Sequence, residues 1–161
     1  MSPAVRSKAS GPDAPPIVGG PAARPIMLAT LAVPFESESV RVAFQAALET
    51  NVQLLVVDVV ERPLWPLAAT FGRAELELDD DREQIRRLVA QAAGLGIQVE
   101  HLRVRSPRPV EALLEVAGER RARLLVLGPD PCRFKPRFFQ RVVRKIRRRA
   151  SCLVWIAGEG P

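Results

Sequence analysis

Residues 54–60 read Leu-Leu-Val-Val-Asp-Val-Val and residues 124–128 read Leu-Leu-Val-Leu-Gly, and these two stretches decide the fold class. Both are short and almost continuously apolar instead of alternating, which is typical of strands that helices cover on both faces. Residues 26–32, 97–104 and 152–157 are further candidate strands, and apolar residues at helical spacing separate the five segments. Because strands that alternate with helices are joined by right-handed crossovers, the sequence predicts an α/β domain with an open five-stranded parallel sheet and helices on both faces.

The first two predicted helices have recognisable ends. Ser37 or Ser39 is expected to cap the first helix, because a serine side chain can accept a hydrogen bond from an unpaired amide of the first turn. Asn51 is expected to end that helix. The acidic run at 79–81 is expected to open the second helix, where carboxylates complement the helix dipole, and Gly94 and Gly96 are expected to end it.

Two further helices are predicted in the second half of the chain. The turn Ser-Pro-Arg-Pro at 106–109 leads into the third, and the apolar stripe within 138–146 marks the fourth. Residues 61–78 carry mixed signals, because prolines favour a loop whereas Glu-Leu-Glu-Leu at 75–78 alternates like a strand next to a helical pattern. Their structure is left open.

The first 25 residues contain six prolines and three glycines and show no apolar period. Such a composition buries too little surface to offset the entropy of ordering, so we predict a disordered tail over 1–25 and one α/β domain over 26–158. No apolar run approaches the roughly 18 residues that span a bilayer. Two cysteines and one histidine form no disulfide framework and no metal-ligand pattern. We expect a cytoplasmic protein without membrane contact or a metal site.

The order of these elements from Ile26 to Ala157 resembles that of the universal stress proteins. The stretches that carry the resemblance are Ile-Met-Leu-Ala-Thr at 26–30, Leu-Leu-Val-Val-Asp-Val at 54–59, Ser-Pro-Arg-Pro-Val at 106–110 and Leu-Leu-Val-Leu-Gly at 124–128. The resemblance implies the strand order 3-2-1-4-5. It also implies a stress-response role, with ATP or another adenine nucleotide as a possible cofactor.

A nucleotide pocket in such a sheet would lie near residues 31–35 and 128–133, because ligands bind beyond the carboxyl ends of parallel strands where the strand order reverses. Small residues in the loop of such a pocket let backbone amides approach phosphates. The candidate pocket residues are Thr30, Leu31, Asp58, Gly128, Asp130, Arg133, Arg141 and Val142.

This chain departs from the loop that the resemblance implies, which is Gly-x-x-Gly, nine residues, and then Gly-Ser or Gly-Thr. Gly128 fits the first position, but Pro131 stands at the second and Arg141-Val142 at the closing pair. Leu31 stands where these proteins commonly place an aspartate. Pro131 lacks a backbone donor and Arg141 adds bulk where close approach is needed. We therefore expect no bound cofactor, with an ATP pocket built on basic side chains of the same loop as the alternative.

Nine of the 24 basic residues lie between Arg133 and Arg149, a segment without acidic residues, so the net charge of +6 originates there. Like charges on a helix repel one another, and the pattern indicates either a solvated face or a polyanionic partner such as nucleic acid. The polyanion candidates are Lys135, Arg137, Arg144, Lys145 and Arg148. One face of the helix is expected to carry Arg141, Arg144, Lys145 and Arg148.

The sequence does not predict an enzyme. His101 is expected at the surface or edge of the third strand, with Glu100 on the opposite face, so the two cannot act as an acid–base pair. Ser151 and Cys152 have no second histidine as a base. The expected function is a non-catalytic stress-response or regulatory binding module. The alternatives are a nucleic-acid or polyanion binder, an ATP-binding universal stress protein with a modified loop, and weak nucleotide hydrolysis.

The last predicted strand spans 152–157, and the chain has no charged residue between Arg149 and Glu159, on either side of it. In the implied strand order it lies at an edge of the sheet, where unpaired main-chain groups need a cover or a partner. The resemblance implies that it pairs antiparallel with a second copy. A homodimer through 152–157 is therefore expected.

Overall fold

A computed structural model of the chain describes residues 5–8, 23–31, 34–61 and 71–157. The strands are β1 (Val5–Lys8), β2 (Ile26–Leu31), β3 (Leu54–Glu61), β4 (Val99–Ser106), β5 (Leu124–Leu127) and β6 (Leu153–Ile156). The helices are α1 (Ser37–Thr50), α2 (Phe71–Gly94), α3 (Pro109–Glu119) and α4 (Pro136–Arg149), with a short 3-10 turn at Pro131–Arg133.

The six strands form one sheet in the order β1-β4-β3-β2-β5-β6. Strands β2 to β6 are parallel to one another, and their order numbered along the chain is 3-2-1-4-5, as predicted. Helices α3 and α4 pack on one face of the sheet and α1 and α2 on the other. Every residue of β2 is buried, which explains its continuously apolar sequence. None of the helices in the described ranges is long and apolar enough to cross a membrane.

β1 lies within the predicted disordered tail, and for its four residues that prediction does not hold. Val5–Lys8 pairs antiparallel with β4, where Val5 is opposite Arg105 and Lys8 is opposite Leu102. This pairing uses main-chain groups at the outer edge of β4, so it needs no hydrophobic period and leaves no mark in the composition. Residues 1–4 and 9–22 of the predicted tail lie outside the described residues.

α2 begins at Phe71, so the prediction that the acidic run at 79–81 opens the helix is wrong. The run lies inside the helix, and the segment 75–78, which carries mixed sequence signals, is helical as well. Glutamate and leucine are both strong helix formers, which explains why their alternation does not produce a strand here. Gly94 ends α2 as predicted. Residues 62–70 lie outside the described residues.

The start of α1 is capped by Glu36, not by either predicted serine. A carboxylate oxygen of Glu36 accepts a hydrogen bond from the Ser39 N–H at 3.0 Å, and Ser39 itself is buried in the first turn. Burial and the hydrogen bonds it accepts have opposite effects on the pKa of Glu36, and the net direction is downward. Asn51 ends the helix as predicted, in the left-handed conformation (φ 51°) that asparagine tolerates.

Candidate functional site

The carboxyl ends of β2 and β5 lie side by side at the point where the strand order reverses. β2 pairs with β3 on one side and with β5 on the other. The segments that follow the two strands are tied together by main-chain hydrogen bonds, from the Glu36 N–H to the Gly128 O (2.8 Å) and from the Asp130 N–H to the Pro34 O (3.2 Å). The structure therefore brings together the two segments in which the sequence placed a nucleotide pocket.

The space beside Gly128 is filled by protein. Phe35 is buried, and a Cβ atom on Gly128 would lie 3.0 Å from Phe35 Cδ1 and 3.1 Å from both Leu28 Cδ1 and Ser39 Cβ. A side chain here would force these neighbours to shift by a few tenths of an ångström, so the protein's own atoms occupy the space on the Cβ side of Gly128.

Gln84 of α2 holds Phe35 in this position. Its Oε1 accepts a hydrogen bond from the Phe35 N–H at 3.0 Å, and its Nε2 donates to the Phe35 O at 3.3 Å. The side-chain amide thereby satisfies both main-chain groups of Phe35, as a neighbouring strand would. Sequence analysis placed the pocket near Phe35 but missed Gln84, because no local pattern links positions 49 residues apart.

The loop after β5 contains its own anion. Asp130 Oδ1 accepts a hydrogen bond from the Cys132 N–H at 2.9 Å, and the Arg133 N–H donates to the Asp130 main-chain O at 3.1 Å. Arg133 Nε lies 3.9 Å from Asp130 Oδ2, and both side chains are partly exposed. A backbone amide that could face a phosphate is thus occupied by a carboxylate of the same loop.

Two predicted pocket residues lie in the second turn of α4. Their N–H groups belong to the helix interior, where each is hydrogen-bonded to the carbonyl four residues earlier, so they cannot be offered to a phosphate. Val142 is buried in the core, and Arg141 is exposed. The backbone amides of Arg141 and Val142 are thus not available to a phosphate.

Thr30, Asp58 and Arg103 form a row across β2, β3 and β4, in which each residue is opposite the next. All three are buried, with 2%, 2% and 9% of their surface exposed. Arg103 Nε donates to Asp58 Oδ2 at 2.7 Å. Arg103 Nη2 lies 2.6 Å from the same oxygen but is poorly aligned with it, and it has no hydrogen-bond acceptor in the described part of the chain. Asp58, a predicted pocket residue, is therefore committed to an internal ion pair.

Leu31 is buried in the core cluster under α3 and α4, whereas Thr30 is on the opposite face of β2. The last two residues of β2 therefore cannot line one pocket together. Leu31 stands where the family pattern has an aspartate, and its burial explains why an apolar residue is accommodated there.

His101 is half-buried on the same face of β4 as Arg103. Burial lowers the pKa of His101, the negative charge of Asp58 opposes this effect, and the positive charge of Arg103 adds to it. Its Nε2 is buried and has no hydrogen-bond partner among the residues that the structure describes. Glu100 lies on the opposite face and accepts two hydrogen bonds from Arg120, at 3.1 and 2.8 Å.

The outer face of α4 carries an arginine stripe, formed by Arg137, Arg141, Arg144 and Arg148. Their spacing of four, three and four residues places all four opposite the buried residues Val142, Val143 and Ile146. All four are exposed, and no ion pair joins them to another residue in the described ranges. The predicted basic face is therefore present, with Arg137 as a further member.

Lys145 is not part of the arginine stripe, although the sequence placed it on the same face. Its Nζ forms an ion pair with Glu111 Oε1 of α3, and this hydrogen bond is the main reason why the pKa of Glu111 is lowered. Lys135, at the N-cap position of α4, is exposed. Phe134 stacks on Phe138 and Phe139 at the same end, with ring centroids 5.8 Å apart in both pairs.

Comparisons with known proteins agree with this architecture. The sequence profile of the universal stress protein family matches residues 23–158. None of the curated proteins matches the chain at the level of sequence. The fold is an α/β fold that resembles those of nucleotide-binding domains. More particularly, the chain belongs to the universal stress protein family.

Solved structures show the same fold at low sequence identity. A protein from the universal stress protein family of Burkholderia pseudomallei has 18% identity and a TM-score of 0.61, covering 88% of this chain and all of that one. The universal stress protein from Archaeoglobus fulgidus in complex with dAMP has 20% identity and a TM-score of 0.59, covering 84% and 98%. A universal stress protein in complex with cAMP has 22% identity and a TM-score of 0.62, covering 86% and 99%.

Proposed function

We propose that this protein is a non-catalytic regulatory binding module of the universal stress protein family that does not bind ATP through the family's loop. The observation that carries the proposal is the hydrogen bond from the Cys132 N–H to Asp130 Oδ1, at 2.9 Å. A phosphate at that amide would displace the carboxylate and would then face its negative charge.

The cost of that arrangement is appreciable. Two unit charges 4 Å apart repel by about 1 kcal/mol in bulk water and by about 4 kcal/mol at the effective dielectric constant of a protein surface. Asp130 is about one-third exposed, which favours the lower part of that range. Two further contributions to phosphate binding are missing. Pro131 has no N–H to donate, and Phe35 fills the space beside Gly128.

Adenine-nucleotide binding is the competing function. Two relatives of the same fold are in complex with dAMP and cAMP, and exposed Arg133 and Lys135 could supply charge in place of backbone amides. Calorimetric titration with ATP and magnesium, AMP and cAMP distinguishes the two. We expect no binding of the three nucleotides at high micromolar concentration, and dissociation constants in the low micromolar range would refute the proposal.

Two variants make the titration more informative. Asp130→Gly removes the internal anion and frees the Cys132 amide, so it is expected to bind nucleotide more tightly than the wild type. Glu49→Gln, an exposed carboxylate of α1, removes the same charge far from the crevice and serves as the control. Equal responses of the two variants would show that Asp130 does not block the loop.

The proposal includes the absence of enzymatic activity. Neither Ser151 nor Cys152 lies beside His101, because the first two border β6 while His101, the single histidine of the sequence, lies in β4. Three strands separate β4 from β6. A phosphate-release assay with ATP and magnesium is expected to give the rate of the buffer alone.

We further propose a homodimer that pairs β6 with its own copy. Within the described residues β6 has β5 as a neighbour on one side and no strand on the other. Leu153 is 72% exposed, and an apolar edge without charge is a surface that soluble proteins normally cover. Light scattering over a concentration series should show a dimer that Val154→Lys converts to a monomer. A wild type that remains monomeric at high micromolar concentration would refute the pairing.

A second candidate function, binding of a polyanion, is favoured by the arginine stripe. Its four guanidinium groups are exposed, and the segment from 133 to 149 contains no acidic residue. Repulsion among them lowers stability without a partner, and the partial negative charge at the C-terminus of α4 offsets it only in the last turn.

A further inference from the structure

We infer that a dimer paired through β6 joins its two arginine stripes into one surface that binds the phosphate backbone of a nucleic-acid duplex. The inference rests on the homodimer and the polyanion binding proposed above. It adds to them that the site is complete only when the partner copy contributes its own stripe, and that the ligand is double-stranded.

The two-fold symmetry of the dimer places both stripes on the same side. A rotation that pairs β6 with its copy reverses the strand direction and also exchanges the two sides of the shared edge. The rotation thus reverses the direction along the strands and the direction across them, which both lie in the plane of the sheet. A two-fold rotation that reverses these two directions has its axis perpendicular to the sheet. Each face of the joined sheet is then formed by the same face of both copies, and the two α4 helices lie on one side.

α4 is the helix nearest to that axis. Its buried residues Val142 and Ile146 belong to the same core cluster as Leu125 and Leu127 of β5 and Ile156 of β6. α3 contacts β2, β3 and β4, further from the shared edge. The two arginine stripes therefore flank the axis as neighbours, and no other helix in the described part of the chain lies between them on that face.

The chemistry of the stripe suits a row of phosphates. Guanidinium groups donate paired hydrogen bonds to phosphate oxygens and keep their charge at every physiological pH. Arg137 and Arg148 are eleven residues apart, which is about 16 Å along a helix with a rise of 1.5 Å per residue. One turn of a duplex is about 34 Å long, so the stripe spans about half a turn and can face only the few phosphates of the backbone that lie on the near side.

Two other anionic surfaces fit the structure less well. Insertion of α4 into a membrane surface needs an apolar face, but Val142, Val143 and Ile146 are buried in the core. A single strand needs aromatic platforms for its bases, and the stripe contains no aromatic residue. Phe138, next to the stripe and 48% exposed, is already stacked on Phe134. The ligand that fits best is therefore a duplex, bound through its phosphates and without contacts that read the base sequence.

Fluorescence anisotropy with a labelled 30-base-pair duplex of generic sequence, in a salt series, tests the inference. The double variant Arg141→Gln/Arg144→Gln is expected to bind at least tenfold more weakly than the wild type, and its salt slope should be smaller by about one unit for each lost contact. The control Arg41→Gln/Arg86→Gln removes the same charge from α1 and α2, on the opposite face, and should bind almost like the wild type.

The role of the partner copy is tested with Val154→Lys, which adds a positive charge but should separate the dimer. Weaker duplex binding by this monomer, despite its extra charge, would support the joined surface. Leu153→Asp, at an exposed position of β6, is a second monomer-forming variant in case Val154→Lys does not fold. Circular dichroism and light scattering establish folding and oligomeric state before each titration.

The possible failures are distinguishable. A wild type that is a dimer by light scattering but does not bind the duplex at 50 mM salt would overturn this inference and leave the dimer intact. A single strand of equal length that binds as tightly would overturn the choice of a duplex. A monomeric wild type, or a monomeric variant that binds as tightly as the dimer, would overturn the joined site.

Discussion

Arg103 of β4 donates a hydrogen bond from Nε to Asp58 Oδ2 of β3, 2.7 Å away, and the two side chains are almost completely buried. The pair lies on the α1 and α2 face of the sheet, where the neighbouring residues Leu54 and Val56 of β3 are apolar. A buried charge that has lost its partner lowers the stability of the fold strongly. Replacement of both charged residues by well-packed apolar residues is often tolerated.

Removal of one partner is expected to destabilise the fold strongly. Arg103→Met leaves the Asp58 carboxylate buried without a counter-charge, so the free energy of unfolding should fall by about 3–5 kcal/mol. Urea denaturation followed by circular dichroism measures the change.

Replacement of both partners is the matched control. Asp58→Leu/Arg103→Met removes both charges at paired positions and should recover most of the lost stability, because no uncompensated charge remains. A double variant that is as unstable as Arg103→Met would show that packing, and not charge, determines the effect.

Gly128→Ala tests whether the protein itself fills the crevice. The added Cβ would lie 3.0 Å from Phe35 Cδ1, so overpacking should lower the free energy of unfolding by about 1–3 kcal/mol. Gly118→Ala is the control, because a Cβ there meets nothing within 4 Å and alanine favours the helix by about 0.5–1 kcal/mol. Thermal denaturation should move in opposite directions for the two variants, and an unchanged Gly128→Ala would mean that Phe35 moves freely.

Gln84→Leu removes both hydrogen bonds that hold Phe35. The N–H and the carbonyl of Phe35 then lose their partners in a largely buried place, which should cost about 1–3 kcal/mol. Gln45→Leu, which loses one exposed hydrogen bond to Glu49, should change stability by less than about 0.5 kcal/mol. Chemical denaturation compares the two, and equal effects would contradict the assigned role of Gln84.

The ion pair between Glu111 and Lys145 predicts that the stability of the fold depends on pH. The hydrogen bond from Lys145 lowers the pKa of Glu111 below its ordinary value of 4.5, so its stabilisation is present above pH 4.5 and is lost as the pH falls through the lowered value. Because both side chains are more than one-third exposed, the contribution at pH 7 should be below about 1 kcal/mol.

The variant Glu111→Gln isolates that contribution. It should be slightly less stable than the wild type at pH 7, and the difference should close at low pH, where the wild-type carboxyl is protonated as well. Denaturation at pH 7, 5 and 3 measures it, with Glu49→Gln as an exposed control. A difference that grows as the pH falls would contradict the assigned direction.

Part of the candidate site could be predicted from the sequence. The strand order alone predicted that the segments after β2 and β5 meet where that order reverses, and the structure brings these segments together. A further signal was present in the sequence, because Asp58 and Arg103 are opposite charges in strands expected to be covered by helices, and buried charges are paired. The clamp of Gln84 on Phe35 and the pairing of Lys145 with Glu111 could not be foreseen, because side-chain geometry between distant elements decides them.

The sequence by itself determined the five parallel strands and the existence and order of the four helices, because hydrophobic periodicity is a local property and short apolar runs form parallel strands only with helices between them. Its departures at Pro131 and Leu31 were likewise visible without coordinates. Only the tertiary structure decided which groups fill the crevice: Phe35 beside Gly128, and the Asp130 carboxylate on the Cys132 amide. The physical reason is that close packing and hydrogen-bond direction depend on distances of a few tenths of an ångström between chain segments, which no sequence pattern encodes.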